Sequence, residues 1–403
     1  MMKEEIRDEF GRNPFMMSCC YQGIEEVSQH IKEGSNIHQV KENGWNALMF
    51  SCLVGNVKVA EYLINKGVDI NALDFEGSNA LMISCLSGRF DVIQMLLSHQ
   101  SNINARNNKG ATPLILAAMS NNSHIVDLLL QHNADVKISN NEGWNALHVA
   151  CQMGNIQAVR SLVQHGAEVH SLNDRGCNPL MIASMGDDNN KEIISFLLQS
   201  GADVNSRSMS GLTPLMFSCT EGRTENVRLL LSHGADVHLS NHAGNTALMI
   251  ASVVGNVDVV SSLLSGGSTI DASNNDGMTS LMIASACGNL NVVQLLIKHG
   301  AKLDLKDERG FTALTHASSL GFHQVCLELV ERGCEIDVVD RDGKTPFLIA
   351  CHLGHLQVVQ FLISRGAQTH LLDSNGRNAL SLATEGNHPD VISFLKTLSL
   401  PSQ

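Results

Sequence analysis

Eleven cysteines and eighteen histidines are the residues of this chain with the greatest capacity for chemistry. Six cysteines recur at one position of a repeating pattern: Cys19, Cys52, Cys85, Cys151, Cys219 and Cys351. Packed helices lie about 8–10 Å apart, whereas a disulfide needs Cα atoms within about 7 Å. The sequence contains no CxxC pair, the simplest signal of a zinc site. We therefore predict buried free thiols, no metal site and a reducing compartment. Cys20, Cys177 and Cys287 are the better candidates for exposed thiols.

Five histidines also recur at one position of the pattern: His99, His132, His165, His233 and His299. The spacing places each of them in the last turn of a helix, where an imidazole suits the negative end of the helix dipole. Because they occur once per repeat, we expect them to lie too far apart to share a metal ion. We interpret them as structural.

Two short motifs near the C-terminal end imitate ligand-binding loops. The triplet at 343–345 is similar to the end of a phosphate loop, but Val338 occupies the place of the first required glycine. Asp340 and Asp342 are similar to part of a calcium loop, but Ile349 stands where the bidentate Glu belongs. No paired-carboxylate, nucleophile-elbow or HExxH pattern occurs. We therefore predict no catalytic site and no cofactor.

Glycine spacing reveals how the chain is organised. Glycines recur at intervals of 33 residues, with one interval of 35, over nearly the whole sequence: Gly11, Gly44, Gly77, Gly110, Gly143, Gly176, Gly211, Gly244, Gly277, Gly310, Gly343 and Gly376. A fixed period of this length indicates a repeat protein. Positions below are counted from this turn glycine, so that +2 is the second residue after it.

Each repeat predicts two short helices. Position +2 is Thr or Asn, and five repeats have Pro at +3, as in Thr213 and Pro214; these are the N-cap and N1 signals of a helix. Glycine at +11, such as Gly255, ends this helix. Apolar residues at +15, +16, +19 and +20 form one face of a second helix, which ends at a left-handed glycine at +23, such as Gly234. Only stacked repeats can bury such faces, so we predict an all-α solenoid.

The repeat from Gly211 to His238 resembles an ankyrin repeat almost throughout, and the match recurs from Gly11 to Leu398. The resemblance implies an ankyrin-repeat α-solenoid, made of helix-turn-helix units with short β-hairpin-like turns. The family usually has His after the Leu of the first helix, a place that only His148 fills here. Seven repeats carry Met instead, which we interpret as core filling: Met16, Met49, Met82, Met181, Met216, Met249 and Met282.

The register predicts a short polar lead at 1–10, a single array of twelve repeats at 11–398 and a tail at 399–403. Polar residues in the last repeat, Ser381, Thr384 and Glu385, suggest that the end repeats act as caps. The insertion at 186–191 is interpreted as a surface loop, with a local docking point as the alternative.

The resemblance implies that the turn tips and the exposed side of the first helix face a protein partner along a concave surface. Large apolar residues occupy these places at +1, +9 and +10, and apolar patches on soluble proteins usually have a function. The candidate partner-binding residues are Trp45, Trp144, Leu212, Met278, Phe311, Tyr21, Leu53, Leu86, Met119, Met153, Val254, Leu320 and Leu353. Packing on neighbouring turns is the alternative for the +1 column.

The formal net charge of -13 argues against nucleic acid or anionic membranes as partners. No apolar run approaches the about 18 residues of a membrane span, and the first residues lack the apolar core of a signal peptide. We expect a monomer in the cytoplasm, and also in the nucleus, acting as a non-enzymatic protein–protein interaction scaffold or adaptor. The alternative is a regulatory or inhibitory subunit that occludes an enzyme or a transcription factor.

Two asparagines resemble targets of the asparagine hydroxylase that acts on ankyrin repeats. Asn71 and Asn205 each have Leu eight places earlier and Asp two places earlier. The resemblance implies hydroxylation of these residues in a host that has the enzyme.

Overall fold

The computed structural model describes Asp8 and residues 12–398. Gly11, the 1–10 lead apart from Asp8, and the 399–403 tail lie outside the described residues. The described chain forms 24 α-helices and no strand, which confirms the predicted all-α fold. It divides into two compact blocks, Met1–Asp203 and Val204–Gln403, called here the N-terminal and C-terminal blocks. Each block is described by itself, and the single array stays a prediction.

The helices alternate between the first and the second helix of each repeat. In the N-terminal block they are α1 (Pro14–Tyr21), α2 (Ile24–Lys32), α3 (Ala47–Val54), α4 (Val57–Asn65), α5 (Ala80–Leu86), α6 (Phe90–Ser98), α7 (Pro113–Met119), α8 (Ser123–Gln131), α9 (Ala146–Gln152), α10 (Ile156–Gln164), α11 (Pro179–Met185) and α12 (Lys191–Gln199). In the C-terminal block they are α13 (Pro214–Thr220), α14 (Thr224–Ser232), α15 (Ala247–Val254), α16 (Val257–Ser265), α17 (Ser280–Ala286), α18 (Leu290–Lys298), α19 (Ala313–Ser319), α20 (His323–Glu331), α21 (Pro346–Leu353), α22 (Leu356–Ser364), α23 (Ala379–Glu385) and α24 (Pro389–Leu398).

The residue at +2 caps each first helix, as the sequence predicts. The Asn145 carboxamide oxygen accepts a hydrogen bond from the His148 N–H at 3.1 Å, and the Thr213 hydroxyl accepts one from the Met216 N–H at 3.3 Å. Pro214 follows as the first helical residue, where its missing N–H leaves no donor unsatisfied. These caps fix where the first helix begins and therefore where the preceding turn ends.

Left-handed residues end the helices at the predicted positions. Every described glycine in the three recurring positions has a positive φ, whereas the four glycines outside them do not: Gly23, Gly186, Gly266 and Gly386. At four places where glycine is missing from +11 or +23, the residue found there still adopts a positive φ: Gln100, Asn121, Asn133 and Asn387. At these places the fold imposes the left-handed conformation even on residues that resist it. Gln22 and Asp187, the +11 residues of the first and sixth repeats, are extended instead, with φ values of -115° and -66°.

Gln100→Gly is expected to stabilise the chain by about 0.5–1 kcal/mol. The exposed Gln100 has a φ of 59°, and a left-handed conformation costs a residue with a Cβ about 1–2 kcal/mol. The greater freedom of glycine in the unfolded chain offsets part of that gain. Urea unfolding measures the change. Asn133→Gly is the control with a smaller gain, because Asn tolerates this conformation, and an unchanged or lower unfolding midpoint for Gln100→Gly would contradict the prediction.

The core lies between stacked helices. Within each block, first helices pack against the first helices of neighbouring repeats and against their own second helices, as α5 does with α3, α7 and α6. The seven methionines of the +5 column are at most 2% exposed, and the six recurring cysteines are fully buried. Both columns therefore fill the space between helices, in agreement with their predicted roles.

The insertion at 186–191 folds as a short 3₁₀ helix, Asp188–Asn190. Asn190 is buried, and its amide donates to the carbonyl oxygens of Cys151 at 3.3 Å and Ala183 at 3.2 Å. One end of the inserted link is thus anchored to the helices beneath it. A docking role for this link stays a prediction.

Candidate functional site

A side chain three positions before the turn glycine shapes the turn in front of the first helix. Asn140 accepts hydrogen bonds at 2.9 Å from the backbone N–H groups of Glu142 and Trp144. The equivalent Asn or Asp makes the same pair of bonds in other repeats: Asp74, Asn107, Asn173, Asn241, Asn274, Asp307, Asp340 and Asp373. Sequence reasoning described only a polar turn here, although the repeat period aligns this column.

Successive turns are joined by backbone hydrogen bonds. The Asn108 N–H donates to the Glu76 carbonyl at 2.9 Å, and the Asn141 N–H donates to the Lys109 carbonyl at 2.9 Å. Gly143 allows the next turn to approach, because a Cβ there would lie 2.8 Å from the Asp174 nitrogen. The turn tips of the N-terminal block therefore form a continuous row.

The candidate residues at +1 are all half-buried: Trp45, Trp144, Leu212, Met278 and Phe311. The two tryptophans differ in their bonding. The Trp45 indole N–H donates to Asp74 Oδ2 at 2.9 Å, and its ring lies 5.2 Å from that of Phe50. The Trp144 ring lies 5.9 Å from that of His148, and its indole N–H has no hydrogen-bond partner in the described part of the chain. Trp144 is therefore the one with an unused donor.

Within each block, the candidate residues on the first helices form an apolar ridge that is mostly exposed. Leu86 is 52% exposed and Met119 46% exposed. The other ridge candidates that are exposed are Tyr21, Met153, Val254, Leu320 and Leu353, while Leu53 is half-buried. Apolar side chains that are exposed to solvent in this way are available to a protein partner. Their contact with a partner stays a prediction.

Two of these columns meet in the N-terminal block in a cavity of about 500 Å³, called groove A. Its apolar lining includes Trp45, Trp144, Leu86 and Met119. The charged residues along it are Asp74, Glu76, Lys109 and Glu142. Groove A therefore combines an apolar floor with a net negative edge.

The C-terminal block has its own cavity of about 690 Å³, called groove B, lined by Phe311, Leu320 and Leu353. The Arg309 guanidinium lies 4.4 Å from the centre of the Phe311 ring, a cation–π contact. A smaller cavity of about 330 Å³ joins Tyr21, Leu53 and Trp45. Met153, Leu212, Val254 and Met278 lie outside the linings of these three cavities.

His148 is a buried polar clamp between two turns. Its Nε2 donates to the Cys177 carbonyl at 3.1 Å. Burial lowers the pKa of His148 to about 4, although hydrogen bonds to the backbone of Cys177 and Ser171 oppose this shift. The imidazole is thus held neutral beneath Trp144.

Acid is expected to destabilise the chain through His148. With a pKa of 6.5 in the unfolded chain and about 4 in the folded one, the unfolded chain takes up the proton first as the pH falls. Stability is therefore lost between pH 6.5 and 4, by about 2 kcal/mol at pH 5. Urea unfolding at pH 7 and pH 5 measures this loss of stability. The loss should be smaller in His148→Met, which has the Met found at the equivalent Met181 of the next repeat, than in the native chain. Equal losses in both proteins would contradict this role.

Two of the three proposed exposed thiols are buried. Cys287 is exposed as expected, but Cys20 and Cys177 are each only 6% exposed, so that part of the prediction is wrong. Cys20 packs with Phe50 of the next repeat, and Cys177 lies in the turn that His148 clamps. All eleven cysteines are free thiols, and burial raises the pKa of the Cys52 thiol to about 12, which disfavours the reactive thiolate.

The recurring histidines cap the second helices. The Nδ1 atoms of His132 and His165 lie 2.9 Å from the carbonyl oxygens of Leu128 and Ser161, one helical turn earlier. His99, His233 and His299 make the same contact. Among residues 12–398, no three His, Cys, Asp or Glu side chains come together as a metal site.

The remaining candidates have structural partners. Asp340 accepts hydrogen bonds from the Asp342 and Lys344 N–H groups, so the imitated loop motifs belong to the ordinary turn. Asn71 and Asn205 accept hydrogen bonds at 2.9 Å from the N–H groups of Asn102 and Asp236 in the following repeats. Their hydroxylation stays a proposal that mass spectrometry of the chain from its own host would test.

Sequence reasoning missed a second exposed apolar column, four positions before the turn glycine: Val40, Leu73, Leu172, Val339 and Leu372. Where this position is basic, the side chain bridges to the next repeat, as Arg106 does to the Ser139 carbonyl at 3.0 Å. Lys306 likewise donates to the Val339 carbonyl at 3.1 Å. Aligning the sequence by its period would have revealed this column.

A family model of ankyrin repeats (3 copies) matches six overlapping stretches, residues 15–107, 99–173, 135–208, 180–274, 248–340 and 314–399. These stretches include the turns, ridges and grooves described above. No curated protein matches the chain significantly. Within residues 12–398, no helix combines the length and apolar character needed to cross a membrane.

Proposed function

Because this chain belongs to the ankyrin-repeat family, we propose that it is a non-enzymatic scaffold or adaptor that holds a protein segment in groove A. Ankyrin repeats are generally protein–protein interaction modules. The observation that carries the proposal is the meeting of the exposed ridge residues Leu86 and Met119 with both tryptophans along one groove. Aromatic and Met side chains are enriched at such interfaces.

The groove supports this role because it is formed before a partner arrives. Asn140 and its equivalents fix the turns, and backbone bonds join neighbouring turns. A rigid surface loses little conformational freedom on binding, so more of the contact energy appears as affinity. Groove B supports a scaffold with more than one binding segment, since it offers a separate apolar surface within the C-terminal block.

Affinity capture followed by mass spectrometry tests the proposal. The double variant Leu86→Asp/Met119→Asp should lose proteins that the native chain retains, because it introduces charge at two apolar ridge positions that line groove A. Leu353→Asp in groove B is the matched control and should retain them. Identical captured proteins for the native chain and the groove A variant would refute a binding role for groove A.

The same experiment separates a scaffold from a regulatory subunit. A scaffold retains several partners that respond to different groove variants. A regulatory or inhibitory subunit retains one enzyme or transcription factor and abolishes its activity. The purified chain should catalyse no reaction of its own, and measurable catalysis by it would refute the non-enzymatic proposal.

We place the chain in the cytoplasm and also in the nucleus, as a monomer. Its eleven free thiols fit a reducing compartment. Fluorescence imaging of the tagged chain and analytical ultracentrifugation test the location and the oligomeric state. A secretory location or a stable dimer would contradict these assignments.

A further inference from the structure

Three charged residues occupy equivalent places along the edge of groove A. Glu76, Lys109 and Glu142 each immediately precede the turn glycine in three successive repeats, and all three line the groove. Their side chains are exposed, and none forms an ion pair within the described residues. The row therefore presents negative, positive and negative charges that are available to another molecule.

The spacing of this row follows from the stacking of the repeats. First helices of neighbouring repeats pack side by side, as α5 does with α3 and α7, and packed helices lie about 8–10 Å apart. Successive turns are joined by hydrogen bonds from Asn108 to Glu76 and from Asn141 to Lys109, each 2.9 Å long. Equivalent side chains in successive repeats are therefore about 8–10 Å apart along the row.

A polyproline II helix matches this spacing. It has three residues per turn and rises about 3.1 Å per residue, so every third side chain lies on the same face about 9 Å further on. A β-strand would point residues three apart to opposite faces. Of these two extended conformations, only polyproline II presents successive third residues to all three charges.

The groove also offers hydrogen-bond donors to such a segment. The carboxamide oxygens of Asn107 and Asn140 are occupied by turn N–H groups, which orients their Nδ2 groups as donors. Neither Nδ2 group nor the Trp144 indole N–H has an acceptor within the described chain. Polyproline II has no internal hydrogen bonds, so its carbonyl oxygens are free to accept from all three.

We propose that groove A binds a proline-rich protein segment in the polyproline II conformation that carries a basic, an acidic and a basic residue at intervals of three. The basic residues pair with Glu76 and Glu142, and the acidic residue pairs with Lys109. Apolar residues between them contact the ridge at Leu86 and Met119. This inference rests on the proposed function and names the chemistry of its partner.

Two isomeric synthetic peptides test the order of charges. The first is Pro-Arg-Leu-Pro-Asp-Leu-Pro-Arg-Leu-Pro, and the second is Pro-Asp-Leu-Pro-Arg-Leu-Pro-Arg-Leu-Pro, with the same composition and net charge. Fluorescence anisotropy with the full chain should show about tenfold tighter binding of the first peptide, which is the effect of close charge pairs at an interface. Equal affinity for the two isomers overturns the inference.

A charge-swapped chain tests the pairing directly. Glu76→Lys/Lys109→Glu/Glu142→Lys should prefer a peptide in which Asp and Arg exchange places throughout. Asp276→Lys alters the equivalent exposed position of the C-terminal block and should leave the native preference unchanged. Circular dichroism checks folding, and if the triple variant melts early, Lys109→Glu alone should still reduce the preference. A folded triple variant with the native preference overturns the inference.

The outcomes distinguish the two proposals. Peptides that bind without regard to charge order, and compete with a captured partner, overturn the charge pairing and leave the scaffold proposal standing. A chain that binds neither peptide overturns the inference alone if groove A still captures a partner that Leu86→Asp/Met119→Asp loses. If that capture fails as well, both proposals are overturned.

Discussion

Trp144→Ala is expected to lower the affinity of groove A for its protein partner about thirtyfold, while thermal stability changes little. A half-buried indole that lines a groove beside apolar side chains has the character of a binding hot spot, where truncation costs about 2 kcal/mol. Its N–H has no partner within the described chain, so a bound carbonyl can accept from it without displacing another bond. Isothermal titration with the captured partner measures the change, and thermal circular dichroism reports the folding.

Trp45→Ala is the matched control and should behave differently. The indole of Trp45 donates to Asp74 at 2.9 Å and packs beside Phe50. Its removal leaves one oxygen of a buried carboxylate without this donor and opens space in the core, so we expect a clear loss of stability in addition to any loss of affinity. If Trp144→Ala unfolds the chain and the folded fraction binds normally, Trp144 is structural and the prediction fails.

Gly143→Ala is expected to destabilise the N-terminal block by about 3 kcal/mol. Its φ of 77° costs a residue with a Cβ about 1–2 kcal/mol. The added Cβ would also lie 2.8 Å from the Asp174 nitrogen and 2.9 Å from the Asn173 Cα, so the next turn must move. Overpacking of this kind costs a further 1–3 kcal/mol, or about as much as the backbone strain. Urea unfolding measures the loss.

Gly166→Ala isolates the backbone contribution. Gly166 has a φ of 90°, and a Cβ there would have no heavy atom within 4 Å. We expect a loss of only about 0.5–1 kcal/mol, because the smaller freedom of Ala in the unfolded chain offsets part of the cost of the left-handed conformation. Losses of equal size at Gly143 and Gly166 would show that the stacked turn yields to the added Cβ. Because Gly143 precedes Trp144, its substitution should also weaken partner binding.

Much of the fold could be predicted because its signals are local and repeated. Asn145 and Thr213 cap helices through bonds to residues three positions later, so the sequence near each cap is sufficient to place the helix start. The same holds for left-handed glycines such as Gly234, where a Cβ would meet no heavy atom within 4 Å and the positive φ alone favours glycine. Twelvefold recurrence made each local signal more certain.

The surface could be predicted only in part, since exposure depends on the neighbouring repeat. The ridge positions of Leu86 and Met119 are exposed as the register indicates. Cys20 was expected at the surface but is covered by Phe50, which lies thirty residues later. The exposed column that includes Leu73 lies four positions before the turn glycine, outside the +1, +9 and +10 columns from which the binding surface was predicted.

By itself the sequence determined the repeat period, the helix boundaries and the columns that form the core, because each depends on residues a few positions apart. Only the tertiary structure decided how equivalent residues differ. Trp45 and Trp144 share one position, yet the aspartate of the next turn occupies the indole N–H of Trp45, while that of Trp144 has no partner within the described chain. Stacking likewise brought Glu76, Lys109 and Glu142 into one row. Such pairings join residues about thirty positions apart, so they are set by packing between repeats.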